Sequence, residues 1–223
     1  MTTEPPQDPG TSLLALLAYV NLCSAEELMR RSAGETDLTE RLPVGRVAAD
    51  QLARYARLSE AIPGGVPGVL AAMQPVISPV DEFIRLTQPR VRGEAMVRLV
   101  AVTGMELEIV QRVADGLDEA AREVLALTPG TWRAMDYGSA GVLEGVTGMI
   151  HGLDELSNYS RRVLGEAAAA GQRLLVRDTG LRALAAGQTP SGGVDDPLAR
   201  SIACLDDVLV ATSARLAQLG LRS

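Results

Sequence analysis

Histidine, cysteine and lysine carry much of the metal, nucleophilic and acid–base chemistry of proteins, and this chain is nearly without them. It has one histidine, His151, and two cysteines, Cys23 and Cys204, and all 21 of its basic residues are arginine. Without lysine there is no Schiff-base chemistry, and no phosphate loop of the type whose lysine reaches the phosphates. A cysteine nucleophile needs a neighbouring base, and His151 is the one histidine to serve either thiol. Both cysteines sit in apolar, helix-like stretches and read as buried free thiols of a reducing compartment. The sequence therefore leads us to expect no catalytic set, no metal ligands and no cofactor.

Five other residues have the character of a site once the elements that carry them are placed: Asn21, Gln51, Arg54, Thr103 and Glu106. Alanine and leucine dominate, aromatics are scarce, and no strand-like alternation occurs. A helix is expected from Ser12, as cap, to about Ala33, followed by a polar connection from Gly34 to Pro43. A second helix runs from Val44 to Ile62 and stops at Pro63-Gly64-Gly65. Val66 to Pro89 is expected as short pieces broken by prolines, and Arg92 to Leu117 as a third long helix. Asp118 caps a further piece that ends near Thr128-Pro129-Gly130, and Trp132 to Leu153, rich in glycine, is expected to be helical only in parts. Asp154 to Gly187 reads as one more helix. Pro197 opens a last helix, with Gly220 as its stop.

Long helices, short connections and one crossover around the third helix predict an all-α, four-helix bundle with additional helices. In domain terms, residues 1–11 are an acidic, proline-rich disordered tail and 12–188 the bundle. Residues 189–197 are a linker, and 198–223 a C-terminal helix packing on the bundle. Successive residues on a helix step by about 100°. On that spacing Asn21 falls in the apolar arc of the first helix, beside Leu14 and Leu28. Gln51 lies among Val47, Tyr55, Leu58 and Ile62 on the second, with Arg54 at the border. Thr103 and Glu106 lie inside the apolar face of the third, whereas Arg98, Glu108, Gln111, Arg112 and Asp115 share its wet side. Buried polar groups must be hydrogen-bonded, so these should meet, either as a polar pocket at the bundle centre, as satisfied helix packing, or as a dimer interface.

The formal net charge is −7, which gives no general attraction to nucleic acid. Two arginine clusters, Arg85, Arg90, Arg92 and Arg98, and Arg161, Arg162, Arg173 and Arg177, read as solvated faces. No signal peptide opens the chain and its uninterrupted apolar runs are too short for a bilayer, so a cytoplasmic protein without membrane contact is expected.

Local phrases resemble the ferritin-like proteins related to the tRNA hydroxylase MiaE. LLALLAYVNL at the start of the first helix is similar to the family's LLxLLAYGEL. MQPVISPVDEFIRLTQP, Met73 to Pro89, resembles MxPFVxPLDxFHxxTxP. SRRVLGEAAAAGQRLL, Ser160 to Leu175, is similar to RRLVGEALxxAQR, and ARLAQLGL, Ala214 to Leu221, to RRMxALGL. The resemblance implies a ferritin-like bundle, whose di-iron site takes a Glu from each of two helices and a Glu-x-x-His pair from each of two others. Here the family's ligands fall on other residue types. They fall on Asn21, on Gln51 and Arg54 ahead of Tyr55, on Thr103, around Leu127 and Gly130, and near Thr212. His151 has Gly148 three residues before it.

Asn and Gln keep the shapes of Asp and Glu without the charge, and Arg54 would supply a fixed cation in place of a metal's. The expected function is thus a non-catalytic, structural or regulatory bundle with a degenerate metal site. It would act as a partner-binding subunit, as a homodimer or a heterodimer with a related chain. Two alternatives stay open: a small-ligand binder using the central pocket, with Arg54 receiving an anion, and a hydroxylase with iron at a non-standard site. If the second and third helices face each other, Arg54 and Glu106 should form a salt bridge, with Asn21, Gln51 and Thr103 completing its hydrogen bonds.

Overall fold

The structure, a computed structural model, describes residues 8–126, 129–148, 152–187 and 196–222. His151, Leu127, most of the expected N-terminal tail and residues 189–195 of the expected linker lie outside the described residues. The described residues form α-helices and a single 3-10 turn, with no strand among them.

Helix α1, Pro9–Gly34, begins earlier than the sequence suggested. The Asp8 carboxylate accepts from the Thr11 amide at 2.8 Å, so Asp8 rather than Ser12 is the cap, and Pro9 sits in the first turn where its missing N–H costs nothing. Residues 9–11 are thus helix, not tail. α2, Leu38–Glu60, also starts early. Asp37 caps it through the Thr39 amide at 2.9 Å, which leaves only Glu35 to Asp37 as connection.

The expected short pieces after Gly65 are one continuous helix, α3, Gly65–Leu86. Pro67 lies in its first turn, where amides lack intrahelical partners. Pro75 and Pro79 lie inside, one turn apart, and the apolar face of Met73, Val76, Val80 and Phe83 holds the helix through both losses.

α4, Arg92–Val113, ends in the 3-10 turn Ala114–Gly116, and α5, Glu119–Leu125, follows with Asp118 as cap through the Ala121 amide at 2.7 Å. α6, Pro129–Gly148, is continuous despite its glycines. A Cβ added at Gly141 would sit 2.4 Å from Met96 Cγ, and one at Gly138 would sit 2.8 Å from Val100 Cγ2. These glycines let α6 lie close against α4; they do not break it.

The long helix expected from Asp154 is two: α7, Gly152–Arg177, and α8, Thr179–Gly187. Asp178 divides them. Its backbone N–H closes α7 on Leu174 at 2.8 Å, and its carboxylate caps α8 through the Leu181 amide at 2.9 Å. α9, Pro197–Gln218, is capped by Asp196 and followed by Gly220 at a φ of 87°.

α1 pairs with α2, α4 with α6, and α2 with α6, and α3 is the crossover between the two pairs. This is the four-helix bundle. α7, α8 and α9 pack on it as further helices, with α9 against α4, α7 and α8 of its own chain. α1 is long and apolar enough by length and composition to cross a membrane, although its longest uninterrupted apolar run is short; half of its apolar window is buried in the bundle.

Candidate functional site

At the centre of the bundle the polar residues of α1, α2 and α4 come together. Asn21 is fully buried, and Gln51, Arg54, Thr103 and Glu106 are all less than one-twentieth exposed. Arg54 reaches this point because it lies one turn from Gln51 and Leu58 on the inner face of α2, and Glu106 because it lies one turn from Thr103 on α4. The Arg54 Nε–H donates to Glu106 Oε1 in a short ion pair. Asn21 Nδ2 donates to the same oxygen at 3.2 Å and to the Leu17 carbonyl, one turn back in α1, at 2.8 Å.

The Ala126 carbonyl at the end of α5 accepts from Arg57 Nη2 at 2.8 Å and from Arg54 Nη1 at 3.5 Å. Burial, with the charge of Arg54 beside it, pulls the Arg57 guanidinium below its ordinary range. The salt bridge expected from the helix faces is present, and Asn21 is part of it. Gln51 and Thr103 are not: both are buried beside the pair in sequence register, but neither hydrogen-bonds to Arg54 or Glu106. Asn21 Oδ1 and Arg54 Nη2 are buried without a hydrogen-bond partner.

Two placements differ from the sequence reading. Arg98, expected on the wet side of α4, is buried. Its Nη1 donates to the carbonyls of Thr87 at 3.2 Å and Ile84 at 3.4 Å, and its Nη2 lies 3.6 Å from Glu27 Oε1. The helix wheel missed it because the C-terminus of α3 covers that side of α4, and those end carbonyls want a cation. Cys204 is buried as expected, but Cys23 is only partly so, and it lines a cavity.

That cavity, about 150 Å³, lies between α1, α3, α4, α7 and α9. Its wall is mostly apolar, including Leu17, Phe83, Val102 and Ala170, with Cys23, Ser24, Arg98 and Glu106 as the polar members. Nothing in the sequence pattern announced it, since its lining residues read as ordinary core positions.

A ferritin-like bundle implies a di-iron centre, and the residues here do not fit one. The central cluster has a single carboxylate, Glu106, and it is already neutralised by Arg54. Of the positions where the family's histidines would fall, Arg54 is a cation and Thr212 is buried with its hydroxyl donating to the Val208 carbonyl at 2.8 Å. Gly130 has no room for a side chain, because a Cβ there would lie 2.8 Å from Asp50 Cβ. An arginine cannot ligate a metal while protonated, and it repels one. An anion aimed at Arg54 would have to displace a buried carboxylate.

The paired helices, the crossover and the polar centre define a ferritin-like helical bundle. The chain belongs to the family of ferritin-like domains of actinomycetes, whose sequence model matches residues 8–188. No curated protein matches the chain.

Proposed function

We propose that this is a non-catalytic, MiaE-like member of the ferritin-like proteins with a degenerate metal site, serving as a structural or regulatory subunit. The observation that carries this reading is the Arg54–Glu106 pair, which puts a permanent protein cation against the one carboxylate of the bundle centre. The sequence phrases shared with MiaE-related proteins support the finer kinship. A hydroxylase with iron elsewhere would need another donor set. Among the described residues no group of three or more His, Cys, Asp or Glu side chains is placed to hold a metal.

We further propose that the subunit pairs with a second copy of itself. Leu38 and Leu42, one turn apart on α2, stand exposed, as do Val91 and Leu143, which neighbour in sequence the Arg92–Glu144 bridge at 3.4 Å. An exposed pair of leucines on one helix face is able to meet its own copy across a two-fold axis, as a symmetric dimer requires.

The test is metal analysis of protein purified from iron-supplemented cells, followed by Fe(II) and Mn(II) titration monitored by thermal unfolding. The reading expects metal far below one per chain and no shift in melting temperature. Stoichiometric metal that survives chelation and gel filtration would overturn it.

A further inference from the structure

The cavity beside Glu106 does not stand alone. A smaller one of about 30 Å³ adjoins it through Ser24, Arg98 and Val102. A third, of about 110 Å³, adjoins its other end through Leu16, Ile109, Gly171 and Leu205. Their linings advance in order along the two helices that frame them. On α1 they run from Arg31 through Ser24 and Leu16 to Leu13; on α4 they run from Ala95 through Arg98 and Ile109 to Val113. The three cavities thus lie end to end in a row along the bundle.

The row is chemically polarised. At the narrow end Arg30, Arg31 and Arg98 gather around one carboxylate, Glu27, at 3.0, 3.1 and 3.6 Å. Among the residues that line this narrow cavity, Arg31 and Arg98 outnumber the carboxylate Glu27, while Glu26 and Asp81 act farther along, at Cys23. The far end is hydrocarbon, from Leu13, Leu175, Leu181 and Leu184. Glu106 contributes to the middle wall, but its charge is answered by Arg54. An apolar cavity of about 150 Å³ is large enough to take a ligand the size of benzene, and a hydrocarbon chain that moves the shared side chains aside would reach the apolar cavity of about 110 Å³ next to it.

We propose that this row of cavities binds the chain of an anionic amphiphile, a fatty carboxylate, with its head at Arg98 and Arg31 and its tail toward Leu184. The assignment is independent of the degenerate metal centre. Metal bound between Asn21 and Glu106 would overturn that reading and leave this one standing.

Calorimetric titration of the full chain with hexanoate, octanoate and decanoate, below their micellar concentrations, tests it. One-to-one binding is expected, tightening about three- to fourfold per added methylene. Ala170→Leu, which fills the middle cavity from α7, should weaken decanoate at least tenfold while circular dichroism stays native. Should that variant not fold, Val102→Phe fills the same space from α4. Arg98→Met should weaken decanoate about tenfold and leave decanol unchanged. Because Arg98 also holds the end of α3, Arg31→Gln provides the same comparison without that role. Affinity that does not depend on chain length would overturn the proposal. So would decanoate binding that is untouched by both filling variants, or carboxylate and alcohol responding alike to both arginine variants.

Discussion

Arg54 on α2 and Glu106 on α4, 52 residues apart, meet as an ion pair whose side chains are 2% and 4% exposed. Neither charge could be buried alone without a large desolvation cost, so each residue accounts for the other's position. The single substitutions Arg54→Met and Glu106→Leu should each destabilise the fold by roughly 3–5 kcal/mol, because each strands a buried charge. The double variant should cost much less than their sum. Urea unfolding of the four proteins reads this directly, and additive losses would mean that the two side chains do not interact.

Two glycines should respond in opposite directions to the same change. Gly165 is an exposed position inside α7 with nothing within 4 Å of an added Cβ, so Gly165→Ala should stabilise by about 0.5–1 kcal/mol through helix propensity. Gly141→Ala makes the same gain but drives a methyl into Met96, and the overpacking should turn it into a net loss of about 1–2 kcal/mol. Thermal unfolding of both variants would decide it, and a stabilising Gly141→Ala would show that α4 and α6 are not in close contact.

Stability should decline on the alkaline side. Burial raises the Cys23 thiol from 9.0 to about 11, with Glu26 and Asp81 adding to the rise and the Tyr19 hydrogen bond and Arg98 opposing it. Burial also raises Tyr159 to about 12, and it raises Tyr19, which donates to Asp81 Oδ1 at 2.6 Å. Each group is an acid whose folded form holds its proton longer than its unfolded form. The stability they confer is complete below about pH 9 and is lost as pH rises through the folded values. Cys23→Ala should flatten the part of this decline between about pH 9 and 11. An unchanged slope in that window would show that Cys23 is not the titrating group.

Self-association through the exposed Leu38 and Leu42 face of α2 should appear as a dimer mass in light scattering at micromolar concentration. Leu38→Ser combined with Leu42→Ser should shift the protein to monomer without loss of helicity. A wild-type protein that stays monomeric would rule the interface out.

The helix content and the bundle were legible in the sequence because periodic Leu, Val and Ala survive any local punctuation. The inner faces of α1 and α4 were legible too, but Arg54 fell only at the border of its stripe, and its pairing with Glu106 followed from the helix facing that the ferritin-like resemblance implies. Proline and glycine misled in the same way twice. Pro75 and Pro79 read as breaks, and the glycines of α6 read as weak helix, because sequence shows the local cost and not the tertiary packing that outweighs it. Arg98 was misplaced because a helix wheel knows nothing of the neighbouring helix end that covers one side. The cavities were invisible for a related reason: a missing atom between well-chosen core residues leaves no trace in their spacing.

The cation at the bundle centre is tethered to the chain. A metal holding the same helices together would stabilise them only in proportion to its free concentration, so the fold's strength would follow supply, chelators and oxidation state. A guanidinium is present once per molecule at every dilution, and it keeps its charge across the physiological pH range. The contribution of this one pair to the bundle's cohesion is therefore set when the chain is synthesised, because both of its partners are part of the chain.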